Sequence, residues 1–459
     1  MSDEAIPPTL TGPTRVQTST RRAVLNTVKG SAGNLVEWYD VYVYTVFAPY
    51  FEAQFFDEND ANSTLYIYAI FAVTFVMRPV GSWFFGRYAD RRGRKAALIL
   101  SITVMSSCSF LVAIMPTREI IGYWAAVILV LARLVQGFAT GGEYGTSATY
   151  MSEAATANRR GFLSSFQYVT LVGGHVLAQF TLLIALSVLD VEALKDWGWR
   201  IGFFIGGIAA LVVLWIRRTM DESLSESHLK EIREGKDPDA GSMKTLFTTH
   251  WRSLLLVFLI TAGGTVAFYT YSVNAPTIVK STFGADRAMT ATWVNLVGLI
   301  FLLLLQPVGG IISDRVGRKQ LLIFFGVGGV IYTYILLTFL PQTTSPLMAF
   351  ALTAVGYVIL TGYTSVNAIV KAELFPADIR ALGVGLGYAL ANSAFGGTAP
   401  LLFQAAKSAG QPGWFIFYVT VVIGVSLLVY IFWLKNKGIT ALDREQGSAW
   451  AVPVSSAPH

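Results

Sequence analysis

The sequence predicts an all-α integral membrane protein of about twelve spanning helices, arranged as two homologous halves of six. Three observations predict this. The 459 residues are 54% hydrophobic and only 14% charged, with a mean hydropathy of +0.54, which is too little charge for a soluble chain of this length. Apolar runs long enough to cross a bilayer recur along the whole chain. One decapeptide also occurs twice: Gly86-Arg-Tyr-Ala-Asp90-Arg91-Arg92-Gly93-Arg94-Lys95 returns as Gly310-Ile-Ile-Ser-Asp314-Arg315-Val-Gly317-Arg318-Lys319. Two flanking markers recur in the same order. Arg78-Pro79-Val80-Gly81 returns as Gln306-Pro307-Val308-Gly309, and Glu153 with Arg159-Arg160-Gly161 returns as Glu373 with Arg380 and Gly383. Such a set of displaced markers means an internal duplication. A duplicated membrane bundle with a basic loop in each half suggests a secondary transporter.

The apolar runs place the first six spans near 29–53, 64–87, 95–115, 120–145, 161–189 and 198–217. The second six fall near 252–280, 288–312, 320–340, 347–371, 380–406 and 413–435. The chain then divides into an N-terminal tail (1–28), a first bundle (29–217), a central loop (218–251), a second bundle (252–435) and a tail (436–459). The last tail has no apolar periodicity and is expected to be disordered. Leu224, Leu229 and Ile232 in the central loop could line a short surface helix, but a solvated tether is the preferred reading. The first twenty residues lack an apolar core, so no cleavable signal peptide is expected.

Positive charge sets the orientation. One group of loops holds Arg21, Arg22, Lys29, Arg87 and the first decapeptide, Arg159 and Arg160, the central loop, the second decapeptide, Lys371, Arg380, Lys435 and Lys437. The opposite group has only Arg118, Lys195, Arg200, Lys280, Arg287 and Lys407, with the acidic run Asp57 to Asp60. The positive-inside rule puts both termini and the central loop in the cytoplasm. The same distribution argues against nucleic acid as the meaning of the formal charge of +6. Cys108 is the single cysteine and there are four histidines. That supports no disulfide framework, metal site or nucleophile–base pair, so neither an enzyme nor a cofactor is expected.

Ionisable residues inside spans are costly and are functional candidates. They are unequally shared. The first half has Glu37 and Asp40 in span 1, Arg78 in span 2, and Arg133 and Glu143 in span 4; by the repeat, Arg78 becomes Gln306, Arg133 becomes Thr353 and Glu143 becomes Tyr363. Proton chemistry is therefore expected in the first half, with hydrogen-bonding residues such as Tyr271 and Asn367 in the second. Arg78 and Arg133 are the two arginines well inside the spans, with Arg200 at the outer start of span 6, and arginine binds carboxylates through a two-pronged fork. Tyr42, Gln167 and Tyr168 add hydrogen-bonding side chains. Two structural alternatives stand beside these: Arg78 satisfying carbonyls freed by Pro79, and Arg133 as a fixed partner of Asp40. A lone His175 after Gly173-Gly174 reads as a core residue.

The repeated Gly-x-x-x-Asp-Arg-x-Gly-Arg-Lys resembles the signature of the major facilitator superfamily. The resemblance implies that Asp90 closes the cytoplasmic side against the start of span 11 and that Arg94 bridges to Glu153 or Glu373. Asp314, with Arg318, would do the same at the start of span 5. Gly33-Asn-Leu-Val-Glu37-Trp-Tyr-Asp40, Met77-Arg78-Pro79 and Arg133-Leu-Val-Gln136-Gly137 resemble the metabolite:proton symporter family. Gly141 to Glu153, Ser165 to Thr170, Trp197 to Arg200 and Lys371 to Pro376 are similar to the bacterial 2-oxoglutarate (α-ketoglutarate) permeases. Those resemblances imply proton-coupled uptake of a dicarboxylate, most naturally 2-oxoglutarate, with citrate, shikimate or a betaine-type solute as the alternative. They imply a monomer in the bacterial inner membrane whose partners are a small carboxylate, protons and lipid. Tyr39-Asp40 is also similar to the Tyr-Asp of proton-coupled sugar porters, which implies that Asp40 carries the coupling proton, switched by Arg133, with Glu37 as its rival.

Overall fold

The computed structural model describes residues 20–57, 63–155, 159–224, 226–235, 240–434 and 440–442. These contain helices and no strand. Helix α1 is Thr20–Phe55. Helix α2 has two segments, Ser63–Val76 and Arg78–Arg92. There follow α3 (Arg94–Ile114), α4 (Trp124–Ala154), α5 (Arg160–Val188) and α6 (Val191–Arg218). The second half has α7 (Trp251–Phe283), α8 (Ala288–Val316), α9 (Arg318–Phe339) and α10 (Pro346–Ala372). It ends with α11, Arg380–Ala391 continuing through Asn392–Gly396 and Ala399–Ser408, and α12, Pro412–Phe432. Ten of these are long and apolar enough to cross a membrane. The other two have visible reasons for their weaker signal. Helix α1 carries buried acids, and α11 is interrupted at Gly397-Thr398.

Each half closes on itself. In the first, α1 packs on α5 and α6, α3 on α4 and α6, and α2 on α4; in the second, α7 packs on α11 and α12, α8 on α10, and α9 on α10 and α12. Large apolar side chains such as Ile184, Leu211, Trp215, Leu304, Ile331 and Phe432 remain exposed around the outside, where only lipid would satisfy them. The halves meet through α5 against α8, and through the inner segment of α2 and α4 against α11. Glycines let the backbones touch there. A methyl group on Gly86 would lie 2.7 Å from Leu382 Cα, one on Gly310 would lie 2.7 Å from the Gly161 carbonyl oxygen, and one on Gly145 would strike Gly385.

Breaks in the helices follow from local chemistry. Met77 interrupts α2 just before Pro79, whose missing N–H cannot continue the ladder. A π-turn at Thr270–Asn274 precedes Pro276 in α7. Gly93 and Gly317 adopt φ of 102° and 105°, which explains the glycine between each pair of basic residues in the repeated loop.

Three expectations change. Helix α1 begins at Thr20, nine residues before the expected span. Helix α4 runs to Ala154 and so carries Glu153 as a helical residue. The central stretch is not a free tether. It forms helices Glu226–Arg233 and Met243–Thr248, and it buries Met220, Leu224, Ala240 and Leu246. The extreme termini, 1–19 and 443–459, lie outside the described residues.

Candidate functional site

A narrow pocket lies between the halves, lined by Glu37, Trp38, Arg78, Thr140, Gly141 and Tyr144 from the first half and by Tyr388 and Ala389 from the second. The break at Met77 starts a new helical segment at Arg78, whose guanidinium stacks 3.8 Å from the centre of the Phe75 ring and 5.3 Å from that of Trp38. Its Nε and Nη2 have no hydrogen-bond partner among the described residues. These two atoms form one edge of the guanidinium fork, the edge that fits a carboxylate. Glu37 is fully buried, and neither of its oxygens has a hydrogen-bond partner among the described residues. That is an expensive place for an unpaired negative charge.

Asp40 lies one helical turn from Glu37 but faces the interior of the first bundle. It accepts hydrogen bonds from Ser109 Oγ (2.6 Å) and Gln136 Nε2 (2.7 Å). Arg133 approaches it at 3.7 Å and donates to Gln136 Oε1 at 2.7 Å. Gln136 is thus the bridge between acid and base, three residues from Arg133 on one face of α4. Arg133 also stacks 4.3 Å from the Tyr44 ring centre, with no hydrogen-bond partner for Nε and Nη2 among the described residues. Neither Asp40 nor Arg133 lines the pocket.

The other predicted binding residues divide. Tyr42 stacks on His175 at 3.9 Å, its hydroxyl without a partner among the described residues. Tyr168 meets Phe268 of the second half edge-on. Asn367 Oδ1 accepts from Tyr144 (3.1 Å) and Tyr363 (3.0 Å). None of these three lines the pocket, nor do the next three, whose polar atoms are used elsewhere. Gln167 bonds Asn34 and Ser147 inside the first bundle. Tyr271 bonds Thr333 inside the second. Arg200 donates to the carbonyls of Ala113 and Met115, closing the end of α3.

On the basic face, both repeated loops join the halves. Asp90 accepts from the backbone N–H of Ala381 (3.2 Å) and Leu382 (2.9 Å) at the N-terminus of α11. Arg94 bonds Asp90 (2.5 Å), Glu153 (3.3 Å) and the Ala377 carbonyl (2.8 Å). Glu153 in turn takes Arg380 at 2.9 Å. The second copy repeats the pattern: Asp314 accepts from Gly161 (2.8 Å) and Phe162 (3.0 Å), and Arg318 lies 3.4 Å from Asp314 and 3.6 Å from Glu373. The first copy is fully buried, whereas the Asp314 side chain keeps 13% of its surface. Glu222 of the central stretch caps α3 by accepting from Arg94 N and Lys95 N. Ser223 donates to Glu153.

Among the buried cations that sequence reasoning took for loop charges or passed over, two stand out. Arg217, at the end of α6, forms an ion pair with Glu143 and also donates to the Leu98 carbonyl at 2.5 Å. Glu143 also accepts from Ser101, so it is held as a structural acid. Lys371 reads as a loop charge because it ends an apolar run. It is buried, bonds Asn367, and lies 3.2 Å from the Tyr144 hydroxyl. The available signal was Tyr363, Asn367 and Lys371 at every fourth position, one face of a helix. No group of His, Cys, Asp and Glu among the described residues is arranged for a metal.

Residues 25–446 match the family model described as sugar (and other) transporter. The chain belongs to that family. It is a multi-pass membrane transporter with the major facilitator fold. It is 42% identical to the alpha-ketoglutarate permease of Escherichia coli (strain K12), over 94% of this chain and 98% of that one. It is 28% identical to the citrate-proton symporter of Klebsiella pneumoniae, over 92% and 95% respectively. Among solved structures, a major facilitator proton:xylose symporter bound to 6-bromo-6-deoxy-D-glucose superposes with a TM-score of 0.78 at 19% identity, covering 93% of this chain and 99% of that one.

Proposed function

We propose that this transporter is a proton-coupled symporter that takes up a dicarboxylate, with 2-oxoglutarate as its favoured substrate, by alternating access. The observation that carries the reading is one pocket holding both an open arginine edge, Arg78, and an unpaired carboxyl group, Glu37. The similarity to an alpha-ketoglutarate permease and a citrate-proton symporter supports the same substrate class. The protein lies in a bacterial inner membrane, acts as a monomer, and has both termini and the basic face in the cytoplasm, following the asymmetry of positive charge.

Arg78 binds one carboxylate of the substrate through its Nε and Nη2 edge. The other carboxylate meets the free edge of Arg133 while the cavity is open outward. Glu37 carries the coupling proton. A proton there removes the cost of a bare carboxylate, and it leaves Arg78 free to hold the substrate rather than Glu37. Proton and substrate therefore favour each other's binding, the condition for symport. Asp40, held by Ser109 and Gln136, positions Arg133 and responds when Arg133 turns to the substrate. The Asp90–Arg94–Glu153 and Asp314–Arg318–Glu373 clusters close the cytoplasmic side.

Proteoliposomes with an inward proton gradient are expected to accumulate labelled 2-oxoglutarate, and a proton ionophore to abolish the accumulation. Uptake that follows sodium and ignores the ionophore overturns the coupling. A preference for monocarboxylates or betaines overturns the substrate class.

A further inference from the structure

Directly beneath the pocket, on the cytoplasmic side, Tyr144 and Tyr388 stack with ring centres 3.4 Å apart, one from each half. Both rings line the pocket above. Below them lies Lys371, its Nζ 4.4 Å from the centre of the Tyr388 ring, 5.1 Å from Tyr144 and 5.9 Å from Tyr363. The side chain is completely buried, yet its ammonium has no carboxylate partner among the described residues. It has the Asn367 carbonyl oxygen, the Tyr144 hydroxyl and aromatic faces. Three other buried bases on the cytoplasmic side contrast with it: Arg94, Arg217 and Arg380 each have an acid within 3.3 Å.

A lysine kept inside a span without a counter-charge is costly and is a functional candidate. Aromatic faces offset part of the cost of a positive charge there but supply no counter-charge. The tyrosine stack joins the two halves, so it must part when they separate on the cytoplasmic side, and Lys371 then faces the same passage as Arg78. Arg133 and Lys371 bracket Arg78 in depth. Helix α4 descends from Arg133 to Tyr144, and Lys371 lies below Tyr144.

We propose, resting on the dicarboxylate reading above, that Lys371 is a second carboxylate receptor used only from the cytoplasmic side. One carboxylate stays on Arg78 while the other passes from the outer receptor to Lys371 as the tyrosine floor opens. The lysine thereby selects dicarboxylates over monocarboxylates on the exit side and takes part in intracellular release and exchange.

The test is sided transport. Lys371→Gln keeps a polar chain that can bond Asn367 and Tyr144 but loses the charge. Half-saturation by 2-oxoglutarate is measured from each face in right-side-out and inside-out vesicles, alongside 2-oxopentanoate, which has the same length and one carboxylate. The expected result is a rise of about tenfold or more on the cytoplasmic face only, as for losing one charge-assisted contact. The preference over 2-oxopentanoate should collapse on that face, and Lys371→Arg should retain it. Equal changes on both faces, or an unchanged preference, overturn the proposal. If Lys371→Gln fails to insert, wild-type protein serves. An impermeant amine-acylating reagent applied from the cytoplasmic side during turnover should modify Lys371, with protection by 2-oxoglutarate and none by 2-oxopentanoate, as read by peptide mass spectrometry. Protection by both compounds, or by neither, overturns it. A wild-type protein without dicarboxylate preference from either face instead refutes the substrate reading.

Discussion

Asp90→Asn tests whether the first latch sets the conformational balance. In the closed arrangement the Asp90 carboxylate accepts two backbone N–H groups of α11, from Ala381 and Leu382, and faces Arg94. All are shielded from solvent. The two bonds to α11 cross between the halves and are lost on opening, so their weakening changes the open–closed equilibrium directly. A hydrogen bond to a charged group contributes about 1.5–3 kcal/mol, and a neutral one about half that. Asparagine can accept through one oxygen only, and its amide then faces donors. The closed state should lose about 2–4 kcal/mol, which multiplies the open-to-closed ratio by about 30 to 1,000. The readout is a cysteine at Ala368, which is buried in the apolar cluster shared by Tyr144, Ile379 and Leu382, in a Cys108→Ala background. Its labelling by an impermeant maleimide in inside-out vesicles should accelerate by well over tenfold until open molecules dominate. Asp314→Asn should have the smaller effect, because its carboxylate is partly solvated and such pairs are worth less. Labelling of the Asp90 variant within about twofold of the parent, or a larger effect from Asp314→Asn, would refute the reasoning.

Further outcomes follow from the same geometry. Arg217→Met leaves Glu143 as an uncompensated buried charge and should destabilise the purified protein by about 3–5 kcal/mol, with much of the loss recovered in Arg217→Met/Glu143→Leu; thermal unfolding in detergent checks both. Glu37→Gln should abolish proton-driven accumulation while sparing substrate exchange, because exchange needs no proton release. If Asp40→Asn shows that pattern and Glu37→Gln still concentrates substrate, the carrier is Asp40. Gly145→Leu places a side chain where the Gly385 backbone lies; it should hold the halves apart on the cytoplasmic side, raising Ala368→Cys labelling while lowering the rate of uptake.

The parts of the fold legible in the sequence were those written as repeats or as charge in apolar surroundings. The duplicated decapeptide pointed to both acid clusters that join the halves, and Asp314 accepts from the Gly161 N–H. Glu37, Asp40, Arg78 and Arg133 stood out because a spanning helix rarely holds ionisable groups. What remained hidden depended on tertiary contacts. Glu37 and Asp40 are one turn apart and equally conspicuous, but only the rotation of α1 against α4 decides which one meets the pocket. Lys371 and Arg217 sit at the ends of apolar runs, where a basic residue ordinarily marks the membrane boundary. The central stretch is polar enough to read as solvated, yet Glu222 and Ser223 fold back onto Arg94 and Glu153.

The glycine-lined contact between the halves has a mechanical consequence. Where Gly86 meets Leu382, Gly145 meets Gly385 and Gly161 meets Gly310, the two bodies touch through smooth backbone with few interlocking side chains. Such a surface behaves as a rocker bearing: it supports load in either position and offers little resistance in between. The difference between the two end positions is then concentrated in a few polar catches at the rim. A load of only a few kcal/mol, the scale of one proton crossing a membrane potential together with one bound solute, is enough to tip a device built this way.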